Sequence, residues 1–223
     1  MRSLVVTCEH GGCRVPPRYR GLFRGRGVFL ASHRGWDPGA LELARAFRAP
    51  LRFFATTSRL VVDLNRSLGH RRLFSEMTRR LPRGERERIL ARHYRPYRDA
   101  AARAIARAAP AVHLSVHTFT PVLGGERRRM DVGILYDPAR RAERAFCRRW
   151  VVALRGEGFA VRCNAPYRGV SDGFTSWLRR RLPERSYLGV ELEVNQKHPR
   201  AGGRAWARLR ESLVRTLRAT MAE

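Results

Sequence analysis

Short apolar runs alternate along the chain with longer stretches in which apolar residues recur every three to four positions. Consecutive apolar residues bounded by turn-forming residues predict strands, and the longer period predicts helices. The predicted strands cover residues 4–8, 52–55, 59–64, 112–117, 131–136, 159–163 and 187–194. The predicted helices cover residues 38–47, 85–109 with an interruption near Pro96, 139–154 and 205–219.

This alternation predicts an α/β fold: a three-layer sandwich with a mixed, mainly parallel sheet covered by helices on both faces. A chain of 223 residues has the length of one ordinary domain, and we expect residues 1–223 to form one. In such folds the functional side chains collect in loops at the carboxyl ends of the strands. The residues that follow the predicted strands are therefore the first candidates for a site.

Composition narrows the class of protein. Hydrophobic residues make up 43% of the chain, which is enough for a packed core and excludes wholesale disorder. No run approaches the ~20 apolar residues that span a bilayer, and the first residues do not form a signal peptide, so we expect a cytoplasmic protein without membrane contact. Four cysteines in 223 residues are too few for a disulfide framework, and the lack of a C-x-x-C pair excludes the common zinc-knuckle and redox motifs.

The charge of the chain indicates a different class of protein. The chain contains forty-six Lys and Arg residues and nineteen Asp and Glu residues, which gives a formal net charge of +27. Lys197 is the single lysine. Such an excess is typical of proteins that bind polyanions, so a nucleic-acid-binding protein without catalysis is one alternative. However, the arginines are spread along the whole chain, are not interleaved with aromatic residues and accompany no known nucleic-acid-binding motif. A solvated arginine-rich surface is the simpler interpretation.

Two histidines at strand ends are candidate metal ligands. His10 follows the first predicted strand and His117 ends a central one. Imidazole is a common zinc ligand, and a catalytic zinc takes about three protein ligands and leaves one position open. Asp37, just before Pro38, fits either a helix N-cap or a third, carboxylate ligand. His113 fits packing or support of the site better than ligation.

Further polar residues fit the chemistry of hydrolysis. Glu191 and Glu193 alternate with apolar residues and therefore share one strand face, where a carboxylate can take a proton from a metal-activated water. Arg59 can hold an oxyanion, and the neighbouring Asn65 and Arg66 suit capture of a substrate carboxylate. A nucleophilic cysteine, Cys8 or Cys13, is the alternative, but it would need a paired base that the sequence does not indicate.

At these residues the chain resembles the N-formylglutamate amidohydrolase (N-formylglutamate deformylase) family over nearly its full length. Six segments in matching order and spacing carry the resemblance: VVTCEHGG at 5–12, WDPGA at 36–40, SRLVVDLNR at 58–66, SVHTF at 115–119, NAPYRG at 164–169 and ELEVNQ at 191–196. The family is similar to the zinc exopeptidase-like fold of zinc carboxypeptidases and aspartoacylase. The resemblance implies hydrolysis of an amide beside an acidic group of the substrate.

The resemblance also assigns roles to residues. It implies that His10, His117 and the carboxylate of Asp37 hold zinc or another divalent metal, and that Glu193, rather than Glu191, moves the proton. It places the substrate carboxylate at Asn65 and Arg66, and the segment 164–169 adds Arg168 as a substrate-binding residue. The chain departs from the His-x-x-Glu pair of carboxypeptidases, because Cys13 stands three residues after His10 and where relatives often have Asn.

The function expected from this reading is metal-dependent hydrolysis of the N-acyl amide of an acidic amino acid such as N-formyl-L-glutamate. In this mechanism Arg59 stabilises the oxyanion and Glu193 passes the proton to the leaving amine. The first alternative keeps the fold and the metal site but changes the substrate to another N-acylamino acid or a peptide. The second is the basic nucleic-acid-binding protein described above. The expected partner is a small acidic N-acylamino acid.

Overall fold

A six-stranded sheet forms the centre of the protein in a computed structural model that describes residues 2–223. The sheet strands are β1 (Ser3–Cys8), β2 (Leu51–Phe54), β3 (Ala111–Phe119), β6 (Val132–Leu135), β7 (Val161–Cys163) and β8 (Tyr187–Asn195). Two short strands, β4 (Val122–Leu123) and β5 (Glu126–Arg127), pair with each other as a separate antiparallel hairpin.

The strand order in the sheet is β2-β1-β3-β8-β6-β7. Strands β2, β1, β3 and β8 run parallel to one another, so their carboxyl ends lie along one edge. Strand β6 is antiparallel to β8 and parallel to β7. The sheet is therefore mixed and mainly parallel, as predicted, and both of its central strands are buried almost throughout.

Between residues 2 and 223, eight α-helices surround the sheet or its loops. They are α1 (Gly27–Ala31), α2 (Ala40–Ala46), α3 (Arg83–Ile89), α4 (Arg95–Arg107), α5 (Arg141–Gly156), α6 (Phe174–Arg179), α7 (Lys197–Ala201) and α8 (Gly203–Ala222). A 3-10 helix covers Pro17–Phe23, and a π-helical turn, Leu90–Tyr94, joins α3 to α4 just before Pro96. Because proline removes a backbone donor, the predicted interruption of this long helix lies where the helical geometry changes.

Side-chain alternation along the strands sends apolar residues to one face and polar residues to the other. Val112, Leu114 and Val116 of β3 pack with α2, α5 and α8, in a core that includes Trp150 and Trp206. The opposite face is covered by α4 and α6 through a smaller cluster. Helices on both faces confirm the predicted three-layer α/β architecture.

The prediction of a strand at residues 59–64 is wrong. The Val61 N–H donates to the Ser58 carbonyl at 2.9 Å, which closes a turn, and the Asp63 N–H donates to the Leu73 carbonyl at 2.8 Å. The apolar side chains of this segment are buried in a separate cluster beside the sheet, with Tyr19, Leu73 and neighbouring residues. A short apolar run signals burial, but it does not distinguish an extended backbone from buried turns.

Within residues 2–223, none of the helices combines the length and the apolar character that a transmembrane span requires.

Candidate active site

Strand pairing brings three of the predicted site residues to one edge of the sheet. His10 comes two residues after the end of β1, and β1 pairs in parallel with β3, which carries His117. In the pairing of β3 with β8, His117 lies directly opposite Glu193. Residues that are distant in sequence thus become neighbours because parallel strands end together.

His10, His117 and Asp37 form a compact buried cluster at this edge. The Nδ1 atoms of both histidines face the same carboxylate oxygen, Asp37 Oδ2, at 3.3 Å from His10 and 2.9 Å from His117. The centroids of the two imidazole rings are 4.9 Å apart. None of the three residues is more than 4% exposed. The structure therefore brings together the three residues predicted to ligate a metal.

The Nε2 atom of each histidine lies close to a second carboxylate. His10 Nε2 lies 2.7 Å from Asp63 Oδ1, and His117 Nε2 lies 3.2 Å from Glu9 Oε2. The Ser115 hydroxyl donates to the same Glu9 oxygen at 2.7 Å. In a neutral imidazole, a carboxylate at Nε2 favours the tautomer that carries the proton there and leaves the Nδ1 lone pair available to a cation.

This arrangement fits a divalent cation. The Nδ1 atoms of His10 and His117 and the Asp37 carboxylate oxygen converge, and the candidate ligand atoms of the three residues all lie within 4.8 Å of one another. Ligands about 2.0–2.1 Å from a tetrahedral zinc stand roughly 3.3 Å apart, close to the 2.9 and 3.3 Å seen here. Three electron-rich atoms at such distances repel one another unless a proton or a cation lies between them. Two imidazoles and one carboxylate are a donor set that suits zinc and similar metals.

The two interpretations of Asp37 are separated by the structure. Helix α2 begins at Ala40 after Gly39, and no side chain caps it. The Asp37 N–H donates to the His10 carbonyl at 2.9 Å, which fixes the loop beside the histidine. Burial alone would raise the pKa of the Asp37 carboxyl, but His10, His117 and Arg59 hold that pKa well below its usual range. Asp37 is thus an ionised carboxylate directed at the histidines, not a helix cap.

Arg59 lies between two carboxylates of the site. Its guanidinium donates to Asp37 Oδ1 at 3.3 Å and to Asp63 Oδ2 at 3.0 Å. Burial opposes its charge, but Asp63 and Asp37 raise the pKa of Arg59 above its ordinary value. The side chain is 24% exposed and lines the cavity above the cluster, so its remaining N–H groups are available to an oxyanion.

Glu193 is a buried carboxyl without a hydrogen-bond partner on one oxygen. It is 6% exposed, and Oε2 contacts no donor. Burial raises the pKa of Glu193 to about 8, and the charges of Asp37 and Glu191 act in the same direction. Glu191 shares the strand face, as predicted, but accepts a hydrogen bond from Thr175 Oγ1 at 2.5 Å. Of the two acids, Glu193 has the free oxygen and the pKa of a general base near neutral pH.

A cavity of about 590 Å³ opens over these residues and is lined by all three residues predicted to bind substrate. Asn65 is buried; its Oδ1 accepts the Phe174 N–H at 2.6 Å and its Nδ2 lies 3.4 Å from His117 Nε2. Arg66 is partly exposed and donates to the Asp172 carbonyl, while its Nε makes no hydrogen bond and lies 3.9 Å from Asp63 Oδ2. Arg168 is exposed at the rim. The structure thus places the predicted substrate-binding side chains around one cavity.

Sequence reasoning missed two carboxylates that support the histidines. Glu9 is adjacent to His10 yet contacts His117, and Asp63 precedes the Asn65-Arg66 pair yet contacts His10. The sequence indicated these two acids only by their position: each follows an apolar run and lies in a segment that carries other candidate site residues. Their partners are set by tertiary structure alone.

The remaining candidates do not join the site. His113 is buried between Thr7 Oγ1 and the Tyr187 hydroxyl, each at 2.8 Å, and burial lowers its pKa to about 4, so it is a neutral packing residue as expected. Burial raises the pKa of the Cys8 thiol well above its ordinary value, and Cys13 is exposed and absent from the cavity lining. Neither cysteine has the activated environment of a nucleophile.

Comparisons with known proteins agree with this fold. The structure is similar to the crystal structure of gene product Atu2144 from Agrobacterium tumefaciens, with 27% sequence identity, 99% of this chain and 91% of that chain covered, and a TM-score of 0.81. It is also similar in fold to N-formylglutamate amidohydrolase from Ralstonia eutropha JMP134, with 20% identity, 100% and 94% coverage and a TM-score of 0.74. A bacteriophage poly-gamma-glutamate hydrolase shares the fold at 13% identity, with 100% and 84% coverage and a TM-score of 0.52.

No curated protein matches the chain. The sequence model of one protein family, N-formylglutamate amidohydrolase, matches residues 2–198 of this chain. This range is most of the sequence and includes every residue of the candidate site. The protein therefore belongs to the N-formylglutamate amidohydrolase family.

Proposed function

We propose that this protein is a metal-dependent amidohydrolase that removes the N-acyl group of an acidic amino acid, with N-formyl-L-glutamate as the first candidate substrate and zinc as the first candidate metal. One observation carries the proposal. Two imidazole nitrogens and a carboxylate oxygen converge on the floor of a cavity, beside the buried carboxyl of Glu193, which has an unpartnered oxygen. This combination supplies a metal site and a proton acceptor in one place.

His10, Asp37 and His117 would hold the cation. A divalent metal bound there supplies Lewis-acid polarisation of the substrate amide and lowers the pKa of a water molecule at the site. Asp63 and Glu9 keep the two imidazoles in the ligating tautomer and orientation. Because these carboxylates are themselves buried, the histidines are fixed before substrate arrives.

Glu193 acts as the general base and then as the general acid. Its carboxylate takes a proton from the attacking water, and the resulting carboxylic acid gives that proton to the nitrogen of the leaving amine. A raised pKa serves both steps, because the group then accepts and releases a proton near neutral pH. The unpartnered Oε2 is the atom that is available for this transfer.

Arg59 and the substrate-binding residues position the amide. The Arg59 guanidinium is held by Asp37 and Asp63, so it can donate to the oxyanion of the tetrahedral intermediate without reorganising. Asn65 and Arg66 anchor a carboxylate of the substrate, and Arg168 at the rim adds a cation for it. The excess of positive charge attracts an acidic substrate in a salt-dependent manner.

Metal analysis of the purified protein combined with an amide screen tests the proposal. Hydrolysis of N-formyl-L-glutamate should require metal, stop with chelator and return on addition of zinc. Comparison with N-acetyl-L-glutamate and neutral N-formylamino acids separates the first candidate from the alternative that another N-acylamino acid is the substrate. Tight, salt-dependent binding of DNA or RNA without any amide hydrolysis would instead support the nucleic-acid-binding alternative.

A further inference from the structure

One side of the cavity is built from an irregular segment, residues 67–81, that carries three arginines facing the opening. We call Arg71, Arg72 and Arg79, all of which line the cavity, the arginine wall. The segment has no regular secondary structure, yet its backbone is anchored. The Leu73 carbonyl accepts the Asp63 N–H at 2.8 Å, and the Thr78 hydroxyl donates to the Val61 carbonyl at 3.0 Å.

Burial fixes the segment further. The Leu73 side chain is 4% exposed and packs in the apolar cluster beside the sheet. The backbone that carries the wall is therefore attached to residues 61–63, close to Asp63 of the metal site. The position of the three arginines relative to the catalytic residues follows from these bonds rather than from a free loop.

The wall has unmatched charge. In the part of the chain that the structure describes, no carboxylate lies within 4.0 Å of the arginine wall or of Arg168. Other arginines of the cavity are paired: Arg34 with Glu76, and Arg59 with Asp37 and Asp63. Six carboxylates line the same cavity, but none lies within 4.0 Å of these four guanidinium groups, which are therefore free to bind an anionic ligand.

Arg168 and the arginine wall belong to different segments of the lining, 167–172 and 67–81. The cavity that both segments line measures about 590 Å³. A small N-acylamino acid with about a dozen non-hydrogen atoms fills roughly 250 Å³, at ~20 Å³ per atom in a close-packed interior. More than half of the space thus remains for a larger anionic substrate.

N-formyl-L-glutamate itself carries two carboxylates, one on its α-carbon and one on its side chain, and Asn65 and Arg66 engage one of them. We propose that the arginine wall binds a third carboxylate, beyond these two. The preferred substrates are then N-acylated acidic amino acids that carry an additional acidic group, either on the acyl group or on a second residue of the amine. This inference rests on the proposed function of the same site and specifies its substrate class.

Two matched pairs of substrates test it. On the amine side, N-formyl-L-Glu-L-Glu is compared with N-formyl-L-Glu-L-Gln, which has the same shape without the terminal side-chain charge. On the acyl side, N-succinyl-L-Glu is compared with its succinyl monomethyl ester. For at least one pair, kcat/KM of the metal-loaded enzyme should be about three- to tenfold higher for the charged member at low salt, as expected for a few charge pairs with exposed arginines.

The variant Arg71→Gln/Arg72→Gln/Arg79→Gln should reduce that preference to nearly one. A control variant, Arg103→Gln/Arg107→Gln/Arg204→Gln, removes the same number of charges from exposed positions that do not line the cavity and should keep the preference. Calorimetric binding of L-Glu-L-Glu and L-Glu-L-Gln to both variants measures the same selectivity without turnover.

Each outcome has a distinct meaning. Charged-to-neutral ratios near one in both pairs, or a ratio that the wall variant leaves unchanged, overturn the inference even if N-formyl-L-glutamate is hydrolysed well. Absence of all amide hydrolysis overturns the proposed function, and the binding comparison still decides whether the wall recognises a carboxylate. Loss of selectivity in the wall variant and in the control alike would show a general charge effect and would also overturn it.

Discussion

Replacement of Glu193 by glutamine tests whether this buried carboxyl is the proton acceptor, and its effect on stability follows from the structure. In the metal-free protein, burial raises the pKa of Glu193 from an ordinary 4.5 to about 8. Below pH 4.5 the carboxyl is protonated in both the folded and the unfolded state. Between these two values the folded state holds the proton and the unfolded state does not, so the free energy of unfolding falls as pH rises.

The magnitude follows from the width of this interval. Each pH unit costs about 1.4 kcal/mol, so ionisation of Glu193 destabilises the metal-free protein by roughly 5 kcal/mol above pH 8. Glutamine has nearly the shape of the protonated carboxyl and does not ionise. Glu193→Gln should therefore differ from the wild type by less than about 1 kcal/mol near pH 5 and exceed its unfolding free energy by several kcal/mol at pH 9.

Urea unfolding of both proteins in chelator at pH 5, 7 and 9 measures the difference, and the contributions of other titrating groups largely cancel in it. Zinc loading should shrink the difference, because a nearby cation favours the ionised carboxylate. A difference that does not change with pH would refute the assignment of a raised pKa to Glu193.

The catalytic activity of Glu193→Gln provides a second test of the same assignment. Glu193→Gln should bind metal but lose at least about a hundredfold in kcat, the usual scale for removal of a general base. Glu191→Gln is the matched control, since Glu191 lies on the same strand face but is hydrogen-bonded to Thr175. Full activity in Glu193→Gln would exclude the proposed proton transfer.

Three other perturbations have defined outcomes. His117→Ala should abolish metal uptake and turnover together, as measured by elemental analysis and an amide assay, and retention of one metal per chain would contradict the ligand assignment. Asp63→Asn should weaken metal affinity about 10- to 100-fold in a competition with chelator, because the support at His10 Nε2 is lost; an unchanged affinity would remove that role. Glu143→Leu should cost about 3–5 kcal/mol of unfolding free energy, because Arg179, 6% exposed and 3.0 Å from the carboxylate, would stay buried without its partner. Adding Arg179→Met should recover part of the loss, and a single variant as stable as the wild type would refute the argument.

How far the sequence predicts the fold is clear from individual strands. The alternation in β3 assigns Val112, Leu114 and Val116 to one face, and the structure buries them under α2, α5 and α8. The same alternation places His113 and His117 on the opposite face with Ser115. Period-two patterns of this kind are local, so they can be read without knowing the partner strands.

The prediction failed where the local pattern has two solutions. Residues 59–64 are apolar and buried, but they lie in turns held by Ser58 and Leu73 rather than in a sheet. Helix α6 was not predicted at all, because its six residues are too few to show a helical period. Tertiary contacts decide such short segments.

The sequence by itself determined the α/β architecture, the face of each central strand and, with the family resemblance, the residues from which a metal site could be built. Only the tertiary structure decided that Asp37 faces the histidines instead of capping a helix, and that Asp63 and Glu9 each orient one imidazole. It also raised the pKa of Glu193, because that value depends on the atoms that exclude water from the carboxyl. Hydrophobic periodicity is carried by neighbouring residues, whereas hydrogen bonds and desolvation depend on residues that folding brings together from distant parts of the chain.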